Sequence, residues 1–200
     1  MDETLRLALP AYLLIFFAIA FVLPSWRVWR LTGRNPVTFA GGDDAHDYVG
    51  RLFKALMVAL AALLVGRALM PGLDRWLVPV WWLEGSAIRL AGGGLLLAAL
   101  AWVVAAQRQM GLAWRIGIDR GAATPLVTGG LFARSRNPIF LGLHGALFGL
   151  LLVLPNLATL LAALLGAVAM AVQVRLEEAH LAALHGEAYR RYRAAAPRWL

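Results

Sequence analysis

Five apolar stretches, separated by charged or turn-rich segments, set the plan of the chain. Residues 7–23, 52–70, 91–106, 139–154 and 157–174 are dominated by Leu, Ala, Val and Phe, and each predicts a membrane-crossing helix. An Ala-x-Ala triplet at Ala18 to Ala20 resembles a leader cleavage site. However, Asp2 and Glu3 stand where a leader carries basic residues, and the apolar run continues past the triplet, so the segment is read as a retained first span. Pro155-Asn156 joins the last two stretches so tightly that they must form an antiparallel helical hairpin.

The intervening segments read as surface structure. Residues 24–50 begin with Trp26, Arg27, Trp29, Arg30 and Arg34, a pattern for a separate interfacial segment at headgroup depth. Asn35-Pro36 and Gly41-Gly42 break that segment into turns, and His46 among Asp43, Asp44 and Asp47 has the residue types of a metal site but reads rather as part of a solvated loop. Trp76, Trp81 and Trp82 place an aromatic belt in the loop at 71–84. Gly92, Gly93 and Gly94 follow no strand, so they read as small residues for close helix packing. In the tail, Leu176, Ala179, Leu181, Leu184 and Tyr189 recur at near-helical spacing among charges, predicting a cytosolic amphipathic helix over 175–200 that Pro197 ends.

Composition agrees. The 200 residues are 61% hydrophobic and 15% charged, against about a quarter charged in soluble domains, with a mean hydropathy of +0.70. The expectation is an all-α polytopic membrane protein of five transmembrane helices forming one domain over 1–200. Within it, 1–106 is a three-span part and 107–200 carries a catalytic loop, the hairpin and the tail. Cysteine is absent, which removes disulfides and thiolate chemistry. The formal charge of +8 follows topology rather than a nucleic-acid stripe: with five spans, fifteen Lys and Arg collect on one side and four on the other. The positive-inside rule then puts the N-terminus outside and the C-terminus in the cytosol. The preference for Arg over Lys points to a bacterial inner membrane.

Two polar clusters carry candidate chemistry. In the first, LVTGGLFARSRNPIFLG at 126–142, Asn137 is placed to cap a helix that Pro138 begins. Arg134 and Arg136 beside that helix start suit an anion. The second gathers Arg175, Glu177, Glu178, His180, His185, Tyr189 and Tyr192 at the foot of the last span, where charges are costly unless paired or used. The hairpin brings Arg136 and Asn137 beside Arg175 and Glu178, giving a mixed-charge cleft roofed by the tail. Glu177-x-x-His180 occurs once, short of the paired motifs of a di-iron site, and no metal is expected. His144 reads as a packed histidine. No nucleophile–His–acid triad and no G-x-G-x-x-G after a strand is present.

Together, LVTGGLFARSRNPIFLG and RLEEAHLAALHGEAYRRYRAAAPRWL resemble the isoprenylcysteine carboxyl methyltransferase and phospholipid methyltransferase superfamily over about 110–200. The resemblance implies an integral membrane methyltransferase that holds S-adenosylmethionine without a Rossmann domain. By position it assigns cofactor contacts to Leu126, Val127, Gly129, Asn137, Pro138, Gly142, Glu177, Glu178 and Tyr189. It gives Arg136 and Arg175 the task of aiming an anionic group of the acceptor. An amine or thiol acceptor would need Glu178 or His180 as base, whereas a carboxylate would need none. Phe132 and Phe140 replace tyrosines of the pattern, and Asn137 stands where some members have His. The expected acceptor is a lipophilic small molecule or lipid. The competing readings are a membrane sterol-reductase-like enzyme using reduced nicotinamide dinucleotide phosphate, and a non-catalytic scaffold.

Overall fold

The structure, a computed structural model, describes residues 3–39, 42–119 and 125–200; Arg120 and Gly41 lie outside them. Among the described residues the fold is all helical, with two isolated bridges and no strand. The first helical rod runs Glu3–Thr32 as α1 (Glu3–Phe17), a π-turn (Ala18–Val22) and α2 (Leu23–Thr32). Then come α3 (Ala45–Leu69), α4 (Ser86–Met110), α5 (Pro138–Val153), α6 (Leu157–His185) and α7 (Glu187–Ala195).

Pro24 does not end the first helix, contrary to the expectation of a separate interfacial segment. Proline lacks an N–H and its ring clashes with the carbonyl four residues back, here Ala20. The π-turn over Ala18–Val22 widens the backbone at that point. The freed Ala20 carbonyl accepts from Gln107 Nε2 at 2.5 Å, so a buried side chain of α4 supplies the bond that Pro24 withholds. The rod therefore continues to Thr32 and stops at Gly33, whose φ of 70° is left-handed. Trp26 and Trp29 are exposed on this extension, and the Arg30 guanidinium lies 5.1 Å from the Trp26 ring.

The helices run alternately between two ends. At the first end, Arg6 donates to the Pro71 carbonyl and to Asp74. Leu157 N–H there donates to the Val78 carbonyl and Val80 N–H to that of Pro155. The start of α1, the 71–85 loop and the α5–α6 turn therefore lie together. At the other end the loop after α2 pairs with the loop after α4 through Thr38 N–H to Ile116 O and Ile116 N–H to Pro36 O. His46 is not in a solvated loop: it is buried, stacks on Phe39, and accepts from Ile118 N–H through Nε2 at 2.8 Å. Asp44 and Asp47 beside it accept from the Asp47 and Gly42 N–H groups, so this group of possible metal ligands closes loops.

Four helical segments are long and apolar enough to cross a bilayer: Glu3–Thr32, Ala45–Leu69, Ser86–Ala113 and Leu157–His185. Of the five expected spans, α5 is the one that does not meet this length. Its 16 residues rise about 24 Å, short of a hydrocarbon core of about 30 Å. Asn156 and Thr159 form a reciprocal capping box that starts α6 straight from the turn. α6 then runs unbroken through Arg175 to His185. The amphipathic tail is thus not one helix over 175–200: its first half belongs to α6, and only Glu187–Ala195 is a separate helix, after a turn at Gly186.

Glycines bring α4 and α5 together. A Cβ on Gly92 would stand 2.9 Å from both the Gly149 carbonyl and the Val153 nitrogen. One on Gly149 would meet Gly92 O and Leu96 N at 3.1 Å, and one on Gly142 the Val103 side chain at 2.5 Å. Small residues at these positions let the backbones touch; Gly93 and Gly94 face open space. Trp102 Nε1 donates to the Pro138 carbonyl at 2.9 Å. Because α4 continues about 12 Å beyond Trp102 to Met110, the start of α5 is recessed below the end of its neighbour.

Candidate functional site

At that recessed start, Pro138 occupies the first helical position, as its fixed φ and missing N–H favour. Asn137 precedes it, but its side chain does not cap α5. Asn137 Nδ2 instead donates to Glu178 Oε1 and to the Arg198 carbonyl, both at 3.2 Å. Glu178, buried on α6, is the hub of the site. It accepts from Arg136 Nε at 3.2 Å, and from Arg198 through Nε at 3.1 Å and Nη2 at 2.8 Å. The Arg198 contact is the two-pronged kind that fits a planar carboxylate.

The tail is fastened to the turn before α5 through its backbone. Arg136 N–H donates to the Pro197 carbonyl at 2.9 Å. Arg136 Nη1 reaches the carbonyls of Ala196 at 2.6 Å and Arg193 at 3.2 Å. Ser135 Oγ donates to the Arg198 carbonyl at 3.3 Å. Behind this strap lies an apolar cluster of Ala106, Phe132, Tyr189, Tyr192 and Ala196, with Leu126, Val127 and Ile139 packed on it. Tyr192 O–H donates to the Phe132 carbonyl at 2.7 Å. An open recess beside the strap is lined by Thr128, Ala133, Ala188, Tyr192, Ala195 and Ala196.

The two tyrosines are held protonated. Burial, then the neighbouring Tyr189, pushes the Tyr192 hydroxyl up to about 12. Burial followed by the nearby Glu178 charge raises Tyr189, partly offset by Arg136 and Arg193. The bond to Glu178 raises Arg198, against a smaller opposing effect of burial.

The structure brings together Arg136, Asn137, Pro138, Glu178 and Tyr189, with Leu126 and Val127 packed behind them. Gly129 is exposed, while Gly142 is buried against α4. Glu177 accepts from Gln173 Nε2 at 2.9 Å along α6 and is outside the Glu178 network. Arg175 is exposed, and its Nη1 donates to the Ala171 carbonyl of its own helix at 2.7 Å, so it does not join Arg136 and Glu178. Arg198 and Ser135 complete the network although nothing in their local spacing marks them; their bonds span 20 and 63 residues. His144 is a packed histidine on α5: its Nδ1 bonds the Phe140 carbonyl at 2.8 Å, and its ring meets Trp199 edge-on.

The arrangement is a buried carboxylate shared by two guanidinium groups, at the junction of α5, α6 and the tail. It can bind charge of either sign and exclude water beneath a strap. Comparison with curated proteins gives no match. The phospholipid methyltransferase profile matches residues 88–188, taking in most of α4, all of α5 and α6, and the loop that carries Arg136 and Asn137. On that match, which covers half the chain and both polar clusters up to the start of α7, the protein belongs to the phospholipid methyltransferase family.

Proposed function

We propose that this chain, a membrane methyltransferase of lipid-like substrates by family, uses S-adenosylmethionine at the Glu178 network and acts at the membrane–cytosol boundary. The observation that carries the reading is the Glu178 network itself: a buried acid bound by Arg136, Asn137 and Arg198 under the tail. The donor set suits a zwitterionic, sulfonium-bearing cofactor. Glu178 offers negative charge to its amino and sulfonium groups, Arg136 and Arg198 offer donors to its carboxylate, and Leu126 and Val127 give an apolar wall; Glu177, one residue away on α6 but outside the network, is the second acid within the same turn. When bound, the cofactor supplies an electrophilic methyl group on a positively charged sulfur.

The protein's part is positioning and exclusion of water, since an in-line displacement gains most from correct approach and a dry site. Arg136, fixed by two tail carbonyls and Glu178, is a rigid donor beside the reacting region. The recessed start of α5 lets a lipophilic acceptor approach from the bilayer while cofactor arrives from water. A carboxylate acceptor needs only to be aimed. For an amine or thiol acceptor, Glu178 or His180 takes the proton.

Calorimetric titration of detergent-purified protein with S-adenosylhomocysteine, and separately with reduced nicotinamide dinucleotide phosphate, tests the reading. Binding of the first alone, abolished in Glu178→Ala, is the expected result. Binding of the second alone transfers the site to reductase chemistry, and binding of neither by folded protein refutes a cofactor site here.

A further inference from the structure

The charges around Glu178 do not balance. Arg136 and Arg198 both bind its single carboxylate, so the three side chains together carry one positive charge in excess. Arg198 spends Nε and Nη2 on Glu178, leaving the Nη1 edge outside the pair, and its side chain is 31% exposed where Glu178 and Arg136 are nearly enclosed. Close by, Tyr189 is 1% exposed, yet its hydroxyl has no hydrogen-bond partner among the described residues. The Arg136 guanidinium acts on that hydroxyl by its charge and by a side-chain contact that falls short of hydrogen-bond geometry. Leaving a buried hydroxyl without a partner is costly, which calls for a group to meet it. Tyr189 also lies within electrostatic range of Arg198. An O–H donor that stays protonated, within electrostatic range of a cation whose Nη1 edge is not spent on Glu178, is a donor set for an oxyanion.

We propose that Arg198 and the Tyr189 hydroxyl form an oxyanion subsite that takes a carboxylate or phosphate group of the bound ligand. Arg198 keeps the excess charge that Glu178 cannot neutralise, and the ligand's oxyanion supplies the missing half. Both residues lie beyond the matched family region of 88–188, on the strap that closes the site. The subsite deepens the reading given above and rests on it only where the oxyanion is that of the cofactor.

The test uses the full chain in maltoside micelles and three probes: S-adenosylhomocysteine, methylthioadenosine (the same nucleoside thioether without the amino-acid group), and dodecyl phosphate. In Arg198→Gln, Glu178 retains Arg136 and Asn137, so the fold keeps its hub. If the cofactor's carboxylate is the ligand, Arg198→Gln weakens S-adenosylhomocysteine by about tenfold or more, as for loss of a charge-assisted pair, and leaves methylthioadenosine unchanged. If a lipid phosphate is the ligand, the same variant weakens dodecyl phosphate and spares S-adenosylhomocysteine. Either result supports the subsite, with Tyr189→Phe moving the same probe and Arg198→Lys keeping part of the affinity. Equal weakening of S-adenosylhomocysteine and methylthioadenosine with dodecyl phosphate unaffected marks a merely structural role and overturns it, as does a variant that binds all three like the wild type. Wild-type protein that binds dodecyl phosphate through Arg198 but neither nucleoside keeps the subsite and refutes the cofactor reading. Wild-type binding of none of the three refutes both.

Discussion

Glu178 shows how much of the site's stability one residue holds. Its replacement by Ala leaves two guanidinium groups facing each other across a buried space, and breaking a buried pair in this way costs about 3–5 kcal/mol. Glu178→Gln, which keeps an acceptor for Asn137 or one arginine, should melt between the wild type and Glu178→Ala in the same detergent. If all three proteins melt together, the network is not structural. Arg175 is the opposite case. Exposed and, among the described residues, bonded to a carbonyl of its own helix alone, it should change stability by no more than about 0.5 kcal/mol when replaced by Ala. Any loss of S-adenosylhomocysteine affinity in that variant would then report ligand contact. Tyr192 makes a pH-dependent contribution. Its hydroxyl titrates near 10 ordinarily and about 12 in the fold, so above pH 10 the unfolded chain loses this proton first. The stabilisation is complete below pH 10 and is lost as pH rises toward 12. Tyr192→Phe should flatten the alkaline fall in thermal stability between pH 10 and pH 12, the window set by the ordinary and the raised value; an unchanged slope would place its cause elsewhere.

Packing between α4 and α5 depends on single glycines, and their neighbours serve as controls. A methyl at Gly92 meets backbone atoms of α5 at 2.9 Å, which cannot yield as a side chain can. Gly92→Ala should therefore destabilise by about 1–3 kcal/mol. Gly93→Ala and Gly94→Ala enter open space and remove a flexible residue from a helix interior, so they should be neutral or stabilising by about 0.5–1 kcal/mol. Equal melting temperatures for the three variants would refute the close approach. The sequence could say that the triplet was for packing, but not which glycine makes the contact, because that depends on the rotation of α4 against α5. The same limit explains the first helix. Pro24 signals a stop within its own segment, and the feature that overrides it, Gln107 on the Ala20 carbonyl, lies 87 residues away. Arg136, Asn137 and Glu178 were legible because the short Pro155-Asn156 turn forces α5 and α6 to be neighbours. Arg198 was not, because no periodicity ties a residue after α7 to a carboxylate on α6.

On the scale of the whole molecule, the two ends differ in chemistry. One holds the start of α1, the 71–85 loop with exposed Trp76, Trp81 and Trp82, and the α5–α6 turn. The other holds the basic end of α2, the loops after α2 and α4, the Glu178 network and the tail. Arg27, Arg30, Arg34, Arg51, Arg108, Arg134, Arg190, Arg191 and Arg193 are all exposed there, which by the positive-inside rule supports the proposed placement of that end in the cytosol. The alternation of helices puts the chain's termini at opposite ends even though α5 is short, because its junction with α6 meets the 78–80 backbone. The chain has no cysteine, so single cysteines at Trp76 and Arg191, both exposed, can be introduced without other changes. In right-side-out vesicles, a membrane-impermeant maleimide should label Trp76→Cys directly and Arg191→Cys only after permeabilisation. Labelling in the reverse order would put the Glu178 network on the outer face, away from the cytosolic pool of any soluble cofactor, and would exclude the proposed route of supply. Labelling of both positions without permeabilisation would mean that the two ends share a side, which the alternating helices forbid.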